Sequence, residues 1–159
     1  MTQRENWIKS WNVNTVGTQI MTETFAPLLL QASSPRLLFM TSGASTLRGT
    51  ENSVARFDKF AAKGWPKQDM SVAAYRSSKS GMNMMMREWY RLLHEDGVKV
   101  WCVSPGFLAT GLGGFGAETL KKMGAGDPEI VGPFIESVLQ GARDADVGKV
   151  ITKDGVQEW

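Results

Sequence analysis

The sequence of 159 residues contains few of the residue types that mark several common classes of protein. Its one cysteine, Cys102, excludes an internal disulfide framework and favours a reducing compartment. Its one histidine, His94, argues against a metal site. No apolar stretch reaches transmembrane length, the N-terminus lacks the apolar core of a signal peptide, and the net charge is only +2. We therefore expect a cytoplasmic protein with no metal, membrane or nucleic acid as partner.

The composition that remains is that of a globular protein. Hydrophobic residues make up 42% of the chain and charged residues 21%, which are ordinary fractions for a folded domain. The length is enough to bury a core and corresponds to one domain over residues 1–159. The lone thiol of Cys102 lies in an apolar run, so we expect it to be a small buried hydrophobe rather than a nucleophile.

Helical and strand patterns alternate along the chain. In order, we predict helix 5–32, strand 36–41, a polar loop 43–70 with a short helix near 54–63, helix 71–95, strand 98–103, a helix opening at 127–128, and strand 149–152. The first two strands are continuous apolar runs, which are typical of strands buried on both faces of a parallel sheet. The alternation indicates an α/β fold with right-handed crossovers and a parallel sheet of about three strands.

A tyrosine and a lysine carry the clearest chemical signal. Tyr75 and Lys79 are four residues apart in a predicted helix, so both project from one face. An ammonium beside a phenol stabilises the phenolate, which makes the pair able to give and take a proton. Ser42 and Pro105 each follow a predicted strand, at the sheet edge where α/β folds bind ligands. Asn14 interrupts a helix, so we expect it to meet a polar group or a closely packed helix.

Four motifs in this order resemble the C-terminal part of a short-chain dehydrogenase/reductase. They are Asn14 within 13–17, Ser42 after a buried strand, the Tyr75/Lys79 pair with Ser78 before the lysine, and the turn 105–110. The ending 148–155 also matches the family's last strand and the loop after it, so the resemblance covers nearly the whole chain. It implies a partial, doubly wound Rossmann-type fold of three layers. The amino-acid sequence of residues 124–128 and 143–148 resembles that of reductases of fungal secondary metabolism.

The resemblance implies a catalytic tetrad of Asn14, Ser42, Tyr75 and Lys79. Ser42 is expected to donate a hydrogen bond to a substrate carbonyl, and Tyr75 to exchange a proton with the same oxygen. Lys79 is expected to stabilise the tyrosinate, and Asn14 to hold a water that links the lysine to solvent. The implied reaction is hydride transfer between a nicotinamide and a hydrophobic ketone or alcohol.

The same resemblance implies a half-site for NADP or NAD. Its expected cofactor-binding residues are Tyr75, Lys79, Pro105, Gly106, Leu108 and Thr110. The family's glycine-rich turn and first strands, which hold the pyrophosphate and adenosine, have no counterpart here, so we expect a truncated domain. Losing a few charge-assisted hydrogen bonds, at about 1.5–3 kcal/mol each, weakens nucleotide binding at least about a thousandfold. We therefore expect weak binding and little or no turnover from this chain alone.

An insertion over 46–70 separates Ser42 from Tyr75 by more than the family's usual spacing. Long loops add little closure entropy, so such an insertion is tolerated. One interpretation is a lid or wall of the substrate pocket, and the other is a surface ornament with its own apolar cluster.

Two other functional classes remain open at the level of sequence. A serine, an asparagine and a tyrosine–lysine pair also suffice for a cofactor-free isomerase, dehydratase or cyclase. Alternatively, the chain is a non-catalytic dimerising pseudoenzyme, since the resemblance implies homo-oligomers formed through the two long helices. The methionines of 82–86 give the second helix an adaptable apolar surface, or else ordinary core.

Overall fold

The computed structural model describes residues 1–51, 58–67 and 72–159. Its helices are α1 (Gln3–Trp11), α2 (Thr18–Leu29), α3 (Arg48–Glu51), α4 (Ala73–Leu93), α5 (Ala117–Lys122) and α6 (Val131–Leu139). Its strands are β1 (Arg36–Met40), β2 (Lys99–Val103), β3 (Val150–Ile151) and β4 (Val156–Gln157). The short helix predicted near 54–63 begins outside the described residues, and α3 lies in the segment that the sequence predicts as loop.

The strands form one sheet in the order β1-β2-β3-β4. β1 lies parallel to β2, with Arg36 opposite Lys99 and Met40 opposite Val103. β3 continues the parallel arrangement, and β4 turns back antiparallel beside it. The α/β architecture with parallel strands is thus confirmed, while β4 is an addition to the prediction. A strand of two residues is too short to leave a periodic pattern in the sequence.

The core lies on both faces of β2, because successive side chains of a strand point to opposite sides. On one face Cys102 packs with residues of β1 and α4, and on the other Trp101 packs with residues of α6. Cys102 is fully buried, which confirms its expected structural role. Met82 and Met86 are also buried, whereas Met84 is exposed, so the methionines of α4 serve mainly as core.

The predicted first helix is helical throughout residues 3–29, but a π-helical segment separates its two α-helical parts. A threonine capping box opens it, in which the Glu5 amide donates to Thr2 Oγ1 at 3.2 Å and the Thr2 amide donates to Glu5 Oε2 at 2.7 Å. Residues Asn12–Gly17 form a π-helical segment between α1 and α2. Such segments are rare and frequently lie at functional sites. This one contains Asn14.

Candidate functional site

Tyr75 and Lys79 lie in the first two turns of α4, as the sequence predicts. The Lys79 ammonium is 6.0 Å from the centre of the Tyr75 ring. Lys79 Nζ also donates to the carbonyl of Met40, the last residue of β1, at 2.7 Å. Partial burial lowers the pKa of Lys79, because removal from water disfavours the charged form. The helix therefore presents a phenol and a nearby amine at the carboxyl end of the sheet.

Asn14 reaches this helix from the π-helical segment. Its Nδ2 donates to Ser78 Oγ at 2.9 Å, and the neighbouring Thr15 hydroxyl donates to the Ser78 carbonyl at 3.0 Å. Ser78 is fully buried, and its own hydroxyl donates to the Tyr75 carbonyl at 2.8 Å. The polar contact expected for Asn14 thus exists, and it falls on the residue next to Lys79.

A close helix contact supports the same arrangement. A Cβ atom at Gly81 of α4 would lie 2.8 Å from the Trp11 ring of α1. A glycine is therefore needed at this position for the two helices to approach as they do. The approach brings the π-helical segment within reach of Ser78.

Ser42 lies in a tight turn just after β1. Its Oγ accepts a hydrogen bond from the Ala44 amide at 3.1 Å, and residues Gly43–Ser45 form a single 3-10 turn. The Arg76 guanidinium donates to the Ala44 carbonyl at 3.0 Å. The turn that carries Ser42 is thus attached to α4 at the residue that follows Tyr75.

A buried network that the sequence analysis missed lies beneath this turn. Thr41, Ser45 and Asn83 are each at most 4% exposed. Thr41 Oγ1 donates to Asn83 Oδ1 at 2.6 Å, and Asn83 Nδ2 donates to Ser45 Oγ at 2.9 Å. The Ser45 hydroxyl donates to the Ser42 carbonyl at 2.6 Å. An asparagine in the middle of a helix, one turn beyond Lys79, was the available signal.

The turn after β2 is held by backbone hydrogen bonds to the segment around Gly126. Gly106 adopts φ +94°, a conformation that favours glycine. The Ala109 amide donates to the Gly126 carbonyl at 2.9 Å, and the Gly126 amide donates to the Phe107 carbonyl at 2.8 Å. In this parallel bridge the amide of the intervening Leu108 points to the opposite side. Thr110 Oγ1 accepts from the Leu112 amide at 3.2 Å.

The insertion is fastened to α4 next to the tyrosine. Arg76 Nη1 lies 2.8 Å from Asp58 Oδ1, and the Asp58 side chain is only 5% exposed. Beyond this ion pair the insertion displays Phe60 and Trp65, which are 98% and 77% exposed. Asp58 is thus a buried anchor of the insertion.

Other groups lie outside this constellation. His94 is exposed, and its Nδ1 lies 3.0 Å from Glu95 Oε1. Burial raises the pKa of the Cys102 thiol, so the thiolate is disfavoured. Within 1–51, 58–67 and 72–159, no three His, Cys, Asp or Glu side chains are grouped so as to hold a metal ion. In the same ranges, no helix combines the length and apolar character needed to span a membrane.

The chain belongs to the short chain dehydrogenase family, because the model of that family matches residues 1–121. It is 46% identical to the short-chain dehydrogenase/reductase eupG of a Phoma species, with 100% of the chain covering 60% of that protein. It is also 46% identical to the short-chain dehydrogenase/reductase tropE of Talaromyces stipitatus, with 96% of the chain covering 58% of the relative. The chain therefore spans about 60% of the length of these curated relatives.

Solved structures share the fold. An NADPH-bound carbonyl reductase from chicken fatty liver superposes with a TM-score of 0.75 at 18% identity, over 100% of this chain and 59% of the other. The carbonyl reductase Sniffer of D. melanogaster gives a TM-score of 0.72 at 18% identity, over 99% and 59%. At this identity the likeness concerns the fold, and it confirms that the chain has a partial Rossmann-type architecture.

Proposed function

We propose that this chain is the chemical half of an NAD(P)-dependent oxidoreductase that transfers hydride between a nicotinamide and a hydrophobic ketone or alcohol. The observation that carries the proposal is that the elements bearing the four predicted residues are attached to the first turns of α4. Tyr75 and Lys79 share one helix face, Asn14 is tied to the intervening Ser78, and the Ser42 turn is attached to Arg76. Membership of the short chain dehydrogenase family supports the reaction class.

The residues present fit the nicotinamide end of such a cofactor. The Lys79 ammonium, which here donates to the Met40 carbonyl, is a donor suited to ribose hydroxyls. The Leu108 amide, turned away from Gly126, is a donor suited to a carboxamide oxygen, and Pro105, Gly106 and Thr110 shape the same turn. When bound, the nicotinamide supplies or accepts the hydride. We propose that this cofactor is NADP or NAD.

The side chains have separate tasks in this proposal. Tyr75 gives its phenolic proton to the substrate oxygen during reduction and removes it during oxidation. Ser42 donates a hydrogen bond to the same oxygen, and Lys79 stabilises the phenolate that Tyr75 leaves behind. Asn14 holds the turn of α4 that carries Ser78 and Lys79, and it is our candidate for anchoring a water beside the lysine.

The proposed substrate class rests on exposed apolar side chains in the two segments that adjoin these residues along the chain. Phe107 and Leu112, near the turn after β2, are exposed, as are Phe60 and Trp65 of the insertion. The Asp58–Arg76 ion pair fastens the insertion directly behind Tyr75, so we propose that residues 46–70 form a wall of the substrate pocket. The eupG and tropE proteins come from fungi, which supports a role in fungal secondary metabolism. We further propose that the protein acts in the cytoplasm.

Substitution of the two tyrosines tests the chemistry. With the purified chain, millimolar NADPH and a hydrophobic ketone, Tyr75→Phe should lower kcat at least about a hundredfold, because proton transfer by a positioned group contributes on that order. Tyr90→Phe, on the distal half of the same helix, is the matched control and should leave kcat unchanged. Turnover is followed by the loss of nucleotide absorbance, and binding by nucleotide fluorescence.

Two results contradict the hydride-transfer proposal. One is a folded wild-type chain that binds no nicotinamide nucleotide even at millimolar concentration, since weak binding is expected and turnover by this chain alone is expected to be little or none. The other is turnover without nucleotide that Tyr75→Phe abolishes, which would instead establish the cofactor-free acid/base enzyme.

A second candidate function, homo-oligomerisation, rests on an apolar helix face. Large apolar side chains along α1, the π-helical segment and α2 are half or more exposed; they are Ile8, Val13, Val16, Ile20, Met21, Phe25 and Leu28. Continuous apolar surface of this kind favours association. We propose that a second copy covers it, and light scattering after size exclusion should give twice the chain mass. Ile20→Glu should shift that mass to a monomer, and a wild-type monomer would contradict the proposal.

A further inference from the structure

We infer that Asn83 is a positioning residue that fixes the Ser42 turn relative to the helix carrying Tyr75 and Lys79. The inference deepens the proposed function and rests on it. Asn83 lies one helical turn beyond Lys79 on α4, and the oxygen and nitrogen of its side-chain amide form hydrogen bonds with two different elements. The oxygen accepts from Thr41 at the end of β1, and the nitrogen donates to Ser45 at the end of the turn.

The two partners of Asn83 flank Ser42 in the chain. Thr41 precedes it directly, and Ser45 closes the turn by donating to the Ser42 carbonyl at 2.6 Å. One planar side chain therefore holds the turn from both ends. Since an amide has fixed geometry, movement of Ser42 relative to α4 requires at least one of these hydrogen bonds to break.

A third element closes the arrangement from the C-terminus. Gln157 of β4 donates through Nε2 to Ser45 Oγ at 3.3 Å and to the Ser42 carbonyl at 3.4 Å. Further along, the Trp159 carbonyl accepts from the Arg48 amide at 2.6 Å. The turn is thus held by α4 on one side and by the C-terminal strand on the other.

Burial makes the hydrogen bonds of this network costly to break, which stiffens the turn. Thr41, Ser45 and Asn83 are nearly inaccessible to water, so a broken hydrogen bond is not replaced by solvent. A serine that must place its hydroxyl on a reacting oxygen benefits from such support, because loss of position of about 1 Å lowers rates strongly. The buried amide therefore acts on the reaction through Ser42 without touching substrate.

Amide hydrogen exchange on the full 159-residue chain tests the inference without any need for turnover. The test variant is Asn83→Leu combined with Thr41→Val, which removes both the amide and its hydroxyl donor and so leaves no orphaned acceptor. The reporters are the Ala44 and Ser45 amides, which donate within the turn. We expect their exchange to accelerate at least about tenfold, equivalent to about 1.4 kcal/mol of local opening. The Cys102 amide, which donates to Lys149, should keep its protection.

A matched variant separates positioning from general loss of stability. Gln19→Leu removes another hydrogen bond between α4 and a neighbouring helix, that of Trp89 Nε1 at 2.8 Å, far along α4 from the turn. Equal acceleration at Ala44 in this variant would overturn the inference, and so would unchanged exchange in the double variant. If the double variant does not fold, Gln157→Leu replaces it, with an expected acceleration of about threefold.

The kinetic readout links the inference to the proposed reaction. The Asn83→Leu, Thr41→Val variant should lower kcat at least about tenfold and leave the KM for nicotinamide nucleotide unchanged, since it loosens Ser42 but not the nucleotide contacts. Unchanged kcat together with faster exchange at Ala44 would overturn the inference. A folded wild-type chain that binds no nicotinamide nucleotide at millimolar concentration contradicts the proposed function instead, so the two failures are distinguishable.

Discussion

At the carboxyl end of the sheet, Thr41, Ser45 and Asn83 join strand, turn and helix through neutral hydroxyl and amide groups. At the amino end, Arg36 of β1 and Lys99 of β2 both bind the carboxylate of Asp144. The first network is closed to water, whereas the Asp144 side chain is 34% exposed. Neutral buried contacts fix geometry at any pH, and partly exposed charges hold elements together only while they are ionised.

The difference follows from what each end has to do. The carboxyl end carries the proposed chemistry, and there the network adds no titrating group to the charged groups already near Tyr75, which are Lys79 and the Arg76–Asp58 ion pair. The amino end only has to fasten the turn before β3 to the first two strands. The contrast shows that hydrogen bonds between neutral side chains can fix the position of the Ser42 turn at a site where proton transfer is proposed.

The largest expected effect comes from breaking the neutral network at one point. Thr41→Val leaves Asn83 Oδ1 without its donor at 2.6 Å in a buried site. A stranded buried acceptor lowers the free energy of unfolding by about 1–3 kcal/mol. Urea unfolding at pH 5 and at pH 7 should show the same loss, since no titrating group is involved.

Thr22→Val serves as the control for that loss. Thr22 is also buried, but its hydroxyl donates to Thr18 within its own helix, so its removal strands no acceptor of another element. A loss in Thr22→Val as large as that in Thr41→Val would mean that the network has no special role.

A smaller, pH-dependent effect is expected at the amino end. Hydrogen bonds from Arg36 and then Lys99 lower the pKa of Asp144 to about 2, from an ordinary value of 3.8. A carboxyl whose folded pKa is depressed stabilises the fold above its unfolded pKa, and that contribution disappears as the pH falls from 3.8 towards 2. Asp144→Asn should therefore lower the unfolding free energy by about 1 kcal/mol or less at pH 7. The variant and the wild type should converge at about pH 2, as measured by urea unfolding across this range.

The smallest effect is that of salt on the same pair of variants. At 1 M salt the Debye length is about 3 Å, so the partly exposed charges of the amino end are screened. The stability gap between Asp144→Asn and wild type should narrow, while that of Thr41→Val should not change. Equal narrowing of both gaps would show that the two ends do not differ in the way described.

The features of the fold and site that could be predicted are those that depend on residues close together in the sequence. The apolar runs 36–41 and 98–103 became β1 and β2, and the Tyr75/Lys79 spacing placed both side chains on α4. β4 and the Asn83 network depend on residues distant in the chain, which meet only after folding. No local sequence pattern predicts the contact of Asn83 with Thr41. The sequence shows only that Asn83 is an asparagine inside a helix, where this residue type is unfavourable.

The π-helical segment Asn12–Gly17 also sets the rotational phase of the long first helix. An α-helix turns by about 100° per residue, and a π turn accommodates one residue more than an α turn does. Deleting a single residue from this segment would therefore convert the π turn into an α turn and leave the orientation of α1 relative to α2 unchanged. Trp11 would stay against Gly81, whereas a deletion within α2 would rotate the residues on its two sides by about 100° relative to each other, so the π turn lets the helix contain one more residue without changing the face of α1 that packs against α4.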